Sequence, residues 1–561
     1  MHVLYQKLIS NGWIPAGLFG ASAFLAIAGL DVLDPTNLSW IYRANDVASS
    51  YTGWTFYRYA PWEARIALNP DYGMDFSGSI IFSDAMPIMA IIFKALSPIL
   101  PEPFQYHGLW VFMSFVLQGV FGWLLMSRAT DDPLVRLLGA IFLVLTPLYY
   151  YRLTSCTHMS LTAHWTVLAA LCLCLPRQAR RPWLWWGLLL TVSAFAHIYL
   201  FAMVAALWCA DLARRAYLEF RQTWFEPIVL TPVVAFAIWG SGVWSGPTGV
   251  FQGGFNWFRM NVLSFMDPNP WNVPDRVPWS YVMPDIPSWG GDYEGFAYLG
   301  LGGLILAVLA AFSLPQILRQ YPLKPFYAYA PLALALVGMG IFSFSQNVGF
   351  GTINFWAPWP APLRMLGELF RSTGRFIWPL YYVFFFLAVA VISRRFSPRV
   401  TASVLAVLAV IQAVDALPGW RHDAGYLRGR DVIYQTALRS PFWDKAAERY
   451  KAVRLAPHSI HHEHYLDVAT MARREGIVTD SAYLSRASVT ATDASRARIE
   501  HGIATGTWPS DTMFIVDENI ARRASATLDL KRSLLVRVDG LIVLAPEWSG
   551  CADCGAQPYL R

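Results

Sequence analysis

Apolar and polar positions alternate on a coarse scale along this chain. Long runs of Leu, Val, Ala, Phe and Trp are cut by short stretches rich in arginine. A helix rises about 1.5 Å per residue, so about 20 apolar residues cross a hydrocarbon core of ~30 Å. Runs of that kind are read at Trp13–Leu33, Tyr106–Ser127, Leu134–Tyr150, His158–Leu175, Trp183–His197, Ile198–Leu212 and Trp224–Trp244, then at Gly295–Leu314, Phe326–Phe344, Gly374–Ile392 and Thr401–Leu417. Between them lie Arg177, Arg180 and Arg181, then Arg214, Arg215 and Arg221, then Arg319 and Lys324, then Arg394, Arg395 and Arg399. Basic loops stay in the cytoplasm, which places all of these on the inner side. With Lys7 before the first run also inside, Ser79–Leu96 cannot be a full crossing. Asp84, Pro87 and Lys94 interrupt it, so it reads as a re-entrant or interfacial helix on the outer side. The expectation is an all-α polytopic membrane domain of about eleven transmembrane helices, N-terminus in and C-terminus out. A twelve-span topology, with the Arg177 loop outside, stands second. Ala26-Ile27-Ala28 offers a signal-peptidase site, but the following spans favour an uncleaved first helix.

The polar stretches carry the remaining pattern. In Asn45–Trp62, Val47, Tyr51 and Trp54 fall at helical spacing, which predicts a short amphipathic helix lying flat at the headgroups with Asp46 at its start. Beyond Leu417 the chain turns polar. Lys451–Leu455, Ile477–Leu484, Thr512–Val516 and Leu534–Leu544 read as strands, with helices at His464–Arg474 and Asp493–Thr505, giving an extracytoplasmic α/β domain. The organisation is therefore a membrane domain over 1–417, its outer loop 34–105 carrying interfacial helices, and a second domain over 418–561.

Composition agrees with a membrane protein. Of 561 residues 55% are hydrophobic and 14% charged, where soluble domains average about 25% charged. The net charge of +6 is that of the basic loops and gives no reason to expect nucleic acid. Cys156, Cys172, Cys174 and Cys209 sit in or beside apolar runs as packing residues, whereas Cys551 and Cys554 form a CxxC suited to a local disulfide outside the cytoplasm. No phosphate-binding glycine loop opens a helix of the C-terminal domain, and His461, His462 and His464 read as a solvated cluster rather than a metal site.

In this topology the outer face collects the chemistry: Asp46, Asp84, Arg152, His158, His197, Glu294, and Arg371 with Arg375. The last two lie four residues apart at a helix end, where paired guanidiniums suit one phosphate and where arginines also snorkel to headgroups. The segments NDVASSYTGWTFYR (Asn45–Arg58), SDAMPIMA (Ser83–Ala90), GDYEGFAYLG (Gly291–Gly300) and STGRFIWPLYY (Ser372–Tyr382) resemble a family of bacterial multipass proteins allied to the GT-C class of integral-membrane glycosyltransferases. The resemblance extends over most of the chain, including PEPFQYHGLW (Pro101–Trp110) and Ser440–Trp443. It implies an inner-membrane enzyme moving a sugar from a polyprenyl-phosphate carrier to a glycan, lipid or protein acceptor, with inversion. Asp46 maps onto the first-loop carboxylate that acts as base in that class. The acidic pairs of the known subfamilies are absent here, since Asp46 follows Asn45, which leaves the acceptor type open. Arg371 and Arg375, helped by Arg152, His158 or His197, would hold the phosphate. Asp84 and Glu294 would bind sugar hydroxyls or orient the cations. No cofactor is implied beyond the donor lipid, and no metal-ligand set stands out. Other readings are a transporter or flippase of a lipid-linked saccharide, or a non-catalytic scaffold for polysaccharide assembly.

Overall fold

The computed structural model describes residues 11–76, 78–153, 158–175, 181–243, 253–269, 277–320, 324–429, 434–459, 462–484 and 486–559. Lys7, Cys156, Arg177, Arg180, Trp244 and His461 lie outside them. The chain forms two compact units. The first comprises 1–40, 103–236 and 253–429; the second comprises 41–102, 237–252 and 430–561.

The first unit is a helical bundle. Among the described residues five helices are long and apolar enough to cross a membrane: His107–Met126, Pro133–Tyr151, Leu301–Gln320, Thr373–Arg395 and Pro398–Asp415. The expectation of about eleven crossings is corrected at this point. Trp13–Ala28, Met159–Cys174, Pro182–Ala196, Phe225–Gly240 and Tyr327–Ser343 are apolar but have only 10–17 residues. Local caps shorten them. Gly29, at φ 76°, stops the first helix before Leu33, and His197, in extended backbone, separates Pro182–Ala196 from the next helix. That next helix, Ile198–Thr223, runs 26 residues, so Arg214, Arg215 and Arg221 are helical rather than a loop. No glycine or proline interrupts the polar turn, and Asp211 pairs with Arg214 at 2.7 Å and with Arg215 at 2.8 Å.

Small residues let Trp13–Ala28 and His107–Met126 approach backbone to backbone. A Cβ on Gly119 would lie 2.1 Å from the Ala16 carbonyl oxygen, and one on Gly20 would lie 2.1 Å from that of Phe115. Outside the helices, β1 (Asn347–Phe350) and β2 (Ile353–Trp356) form an antiparallel hairpin.

The second unit is built on one six-stranded sheet. Its strands are β3 (Ala452–Ala456), β4 (Val478–Thr479), β5 (Thr512–Val516), β6 (Leu534–Val538), β7 (Leu541–Ala545) and β8 (Gln557–Pro558), in the order β4-β3-β5-β7-β6-β8. β3 pairs in parallel with β4 and β5, and the remainder is antiparallel. The single strand expected over Leu534–Leu544 is a hairpin turning at Asp539-Gly540, both at positive φ. Asp-Gly is the favoured pair for such a turn. The strand expected over Ile477–Leu484 shrinks to two residues, Val478–Thr479, and the free edge of β4 is taken up by the first loop. Tyr72 pairs with Thr479, whose backbone exchanges bonds with Gly73 and Asp71 at 2.9 and 3.0 Å. Cys551 and Cys554 are disulfide-bonded.

The loop 41–102 is thus a part of this unit, although by sequence it reads as belonging to the membrane domain. Phe56, Tyr72, Phe76 and Phe82 share one core with Phe442, Trp443, Val453, Val468 and Met513. The helix expected at Asp46 forms, over Asn45–Tyr59, but is buried all round, from Val47 to Trp54 and on to Arg58. It is not a flat amphipathic helix. Its Ser49, Ser50 and Thr52 point into protein and find partners there: Ser49 Oγ donates to Tyr483 O at 2.5 Å and Ser50 Oγ to Asp84 O at 3.0 Å. Ser79–Leu96 breaks at Asp84 and Met86, both at positive φ, into a 3-10 turn and a nine-residue helix, Pro87–Ala95, too short to cross a bilayer.

Candidate functional site

Three residues expected on the outer face converge in the first unit. Arg152 follows the apolar helix Pro133–Tyr151, Arg375 stands at the start of Thr373–Arg395, and Glu294 lies in a 3-10 turn shortly before Leu301–Gln320. Glu294 sits between the two guanidiniums. Arg152 Nη1 donates to Glu294 Oε2 at 2.9 Å, and its Nη2 to the Glu294 carbonyl at 2.9 Å. Arg375 Nε donates to Oε2 at 2.9 Å and Nη2 to Oε1 at 2.5 Å. All three side chains are buried, with Arg152 at 0% exposure. Burial by itself would push the Glu294 carboxyl up, but Arg375 and Arg152, with His158 adding to them, outweigh it and hold the group well below the usual carboxylate range. Glu294 is therefore a carboxylate throughout the physiological pH range, orienting two cations.

Aromatic faces complete the surroundings. Arg152 lies 5.0 Å from the Trp378 ring and Arg375 4.6 Å from that of Tyr199. Such faces favour a cation in a place with little water. Arg152 Nε has no hydrogen-bond partner among the described residues. His197 enters at one remove: it caps the helix Ile198–Thr223, accepting from Tyr199 N at 3.2 Å, and its ring tilts against Tyr199 at 5.4 Å. Tyr199 also accepts from Ser372 N at 3.1 Å, which fixes the turn leading to Arg375.

Arg371 does not join Arg375 on one helical face. The helix Ala361–Phe370 ends before it, Arg371 takes φ 57°, and a 3-10 turn begins at Thr373. Its guanidinium lies 5.6 Å from the Phe258 ring. Spacing of four residues implies a shared face only while the helix continues, and here it stops.

Asp46 and Asp84 belong to the second unit. Asp46 lies in the first turn of Asn45–Tyr59, where a carboxylate complements the helix dipole. Tyr465 donates to the neighbouring Asn45 carbonyl at 3.0 Å. Asp84 occupies the left-handed position between the 3-10 turn and the helix that follows.

Two clusters escaped the sequence reading. In the first unit Arg259 Nε donates to Asp292 Oδ1 at 3.0 Å and Asn261 Nδ2 to Asp292 Oδ2 at 2.9 Å, tying the turn that carries Glu294 to the β1–β2 hairpin. Asp292 stands beside Glu294 in GDYEG, so its acid was visible while its partner was not. In the second unit Arg454 Nη1, from the middle of β3, bridges Asp75 at 2.8 Å and Asp480, just past the end of β4, at 3.4 Å. Burial pushes the Asp480 carboxyl up to about 7 despite Arg454. Among the described residues no three His, Cys, Asp or Glu side chains gather as a metal site.

A family model described as a domain of unknown function, DUF6311, matches residues 17–417, and one described as the DUF6311 C-terminal domain matches residues 442–546. No curated protein matches the chain.

Proposed function

The chain belongs to the DUF6311 family, and from that premise we propose that it is an inner-membrane glycosyltransferase drawing on a polyprenyl-phosphate sugar. The observation that carries this reading is the Arg152–Glu294–Arg375 cluster. Two guanidiniums converge on one buried carboxylate at the ends of apolar helices, and in this reading they draw the phosphate of a membrane-borne lipid. Guanidinium N–H groups match phosphate oxygens in pairs, and electrostatic stabilisation of a departing phosphate is a large term in transfer reactions. Glu294 then orients the cations, and Arg371 adds charge nearby in sequence. Asp46 keeps the role of base, taking the acceptor hydroxyl proton as the sugar C1 is attacked, with Asp84 binding hydroxyls. The topology that goes with this reading places the C-terminal domain in the periplasm.

A sugar-labelled polyprenyl phosphate, mixed with the purified chain, tests the reading through release of the carrier. Asp46→Asn keeps shape but cannot take the proton, and turnover falls by about 10²–10⁴-fold, the scale for a lost general base. Arg371→Ala weakens binding of the carrier, and Arg371→Lys restores it in part. Full turnover in Asp46→Asn ends the base assignment. Failure of the wild-type chain to bind polyprenyl phosphate ends the proposal.

A second reading, a non-catalytic scaffold, is favoured by the burial of the Asp46 helix on every side. Under it Asp46 merely stabilises a helix end, and Asp46→Asn alters stability by about 0.3–1 kcal/mol with no other effect.

A further inference from the structure

The segment joining Tyr327–Ser343 to Thr373–Arg395 shows an apolar face to its surroundings. In β2 every residue is exposed, with Phe355 at 56% and Trp356 at 64%. The helix Ala361–Phe370 buries only Gly367 and Phe370, while Leu363, Met365, Leu366 and Leu369 are all exposed. An exposed apolar face of that extent marks a surface that meets something other than water.

Neither element is loosely held. From behind, Asn261 pairs with Gly349, Trp289 Nε1 donates to Thr352 O at 2.9 Å, and Phe255 packs so closely on Gly367 that a Cβ there would meet it at 2.3 Å. Phe370 packs against Tyr199 and Phe376. The apolar face is therefore presented by a fixed platform.

We propose that this platform lies in the boundary of the bilayer, with lipid acyl chains against Trp356 and the Leu363–Leu366–Leu369 edge. Three observations select lipid as the occupant. The segment leaves the apolar helix Tyr327–Ser343 and enters Thr373–Arg395, which is long and apolar enough to cross a membrane, so it stands at the end of a candidate span. The helix is two-sided: Arg364 and Glu368, paired at 3.8 Å, share one edge, and the exposed leucines and Met365 occupy the arc away from it. That division, with tryptophan and phenylalanine in the adjoining strand, is the pattern of an interfacial amphipathic element. Finally, among the described residues β2 pairs with β1 alone, leaving backbone groups on its other edge. Those groups are satisfied by water and headgroups but not in the hydrocarbon centre, which sets the depth at the boundary. The inference does not depend on the glycosyltransferase reading.

The test uses the full chain in lipid nanodiscs, with Cys156, Cys172, Cys174 and Cys209 replaced by alanine. Spin labels are placed singly through Trp356→Cys, Leu363→Cys, Leu366→Cys and Arg364→Cys. All four positions are exposed, so the labels leave the core untouched. Collision with oxygen, which concentrates in hydrocarbon, is compared with collision with a water-soluble nickel chelate. Oxygen dominates at positions 356, 363 and 366, and the chelate dominates at 364. Chelate dominance at 363 and 366 overturns the proposal, since the face is then in water. Exclusion of both reagents there overturns it as well, because a protein then covers the face. Equal depth at 364 and 366 rejects the two-sided placement.

Discussion

At the scale of single residues, the charge cluster and the buried acid of the sheet behave oppositely with pH. Glu294 is held below its ordinary range by Arg152 and Arg375. Its stabilising effect is complete above the ordinary carboxylate pKa and is lost only as pH falls towards the lowered value, so it is constant across neutral pH. Glu294→Gln leaves two guanidiniums buried without their counter-charge. We expect a loss of about 3–5 kcal/mol, the scale for breaking a buried pair, read as a lower melting temperature in detergent at pH 7. Asp480 has the opposite sign. Its carboxyl is raised to about 7, so the folded chain holds a proton that the unfolded chain has released. Its contribution falls as pH rises from the ordinary carboxylate range to about 7, by at most about 1.4 kcal/mol per pH unit for one proton. Melts of the wild type and Asp480→Asn should diverge with pH between 5 and 7 and run parallel above. A constant difference over the whole range rejects the raised value.

At the scale of elements, the hydrophobic pattern locates helices but not their ends. Every apolar run read from the sequence contains a helix, yet Gly29 and His197 shorten two of them and the charged tail of Ile198–Thr223 lengthens another. Close packing then depends on single hydrogens. Gly119→Ala places a methyl 2.1 Å from a backbone oxygen that cannot move alone, whereas at Gly122 the nearest atom is 3.4 Å from the new Cβ. Gly119→Ala should therefore cost about 1–3 kcal/mol or more, and Gly122→Ala should be close to neutral, as compared by thermal aggregation of the two variants. Equal behaviour would mean that the backbones of Trp13–Ala28 and His107–Met126 do not touch there.

At the scale of the whole molecule, the second unit takes its core from both ends of the sequence. Phe56, Tyr72, Phe76 and Phe82 from the first loop pack with residues beyond Leu438. Removal of 430–561 should leave that loop uncovered and the edge partner of Tyr72 missing. Limited proteolysis of the truncated chain should cut between Glu63 and Pro87, where the intact chain resists. Resistance in the truncated chain would show that the loop holds its shape alone. The family models divide the chain at 417 and 442, in sequence order, while the packing unit does not follow that order.

What the sequence determined by itself is whatever depends on neighbours within a turn or a strand. The apolar runs, the strand Thr512–Val516, the helices near His464 and Asp493, and the break at Asp84–Pro87 all follow from local periodicity and backbone restriction. The acids and cations of the outer loops were visible as residue types. Which of them meet was not. Glu294 is 142 residues from Arg152 and 81 from Arg375, and no local pattern records that the three helix ends coincide. The spacing of Arg371 and Arg375 suggested a shared face that a single left-handed residue removes. Likewise the alternation in Asn45–Tyr59 is that of a helix with one apolar side, yet protein surrounds it on all sides. Burial is decided by what packs around an element, and only the tertiary structure brings those distant segments together.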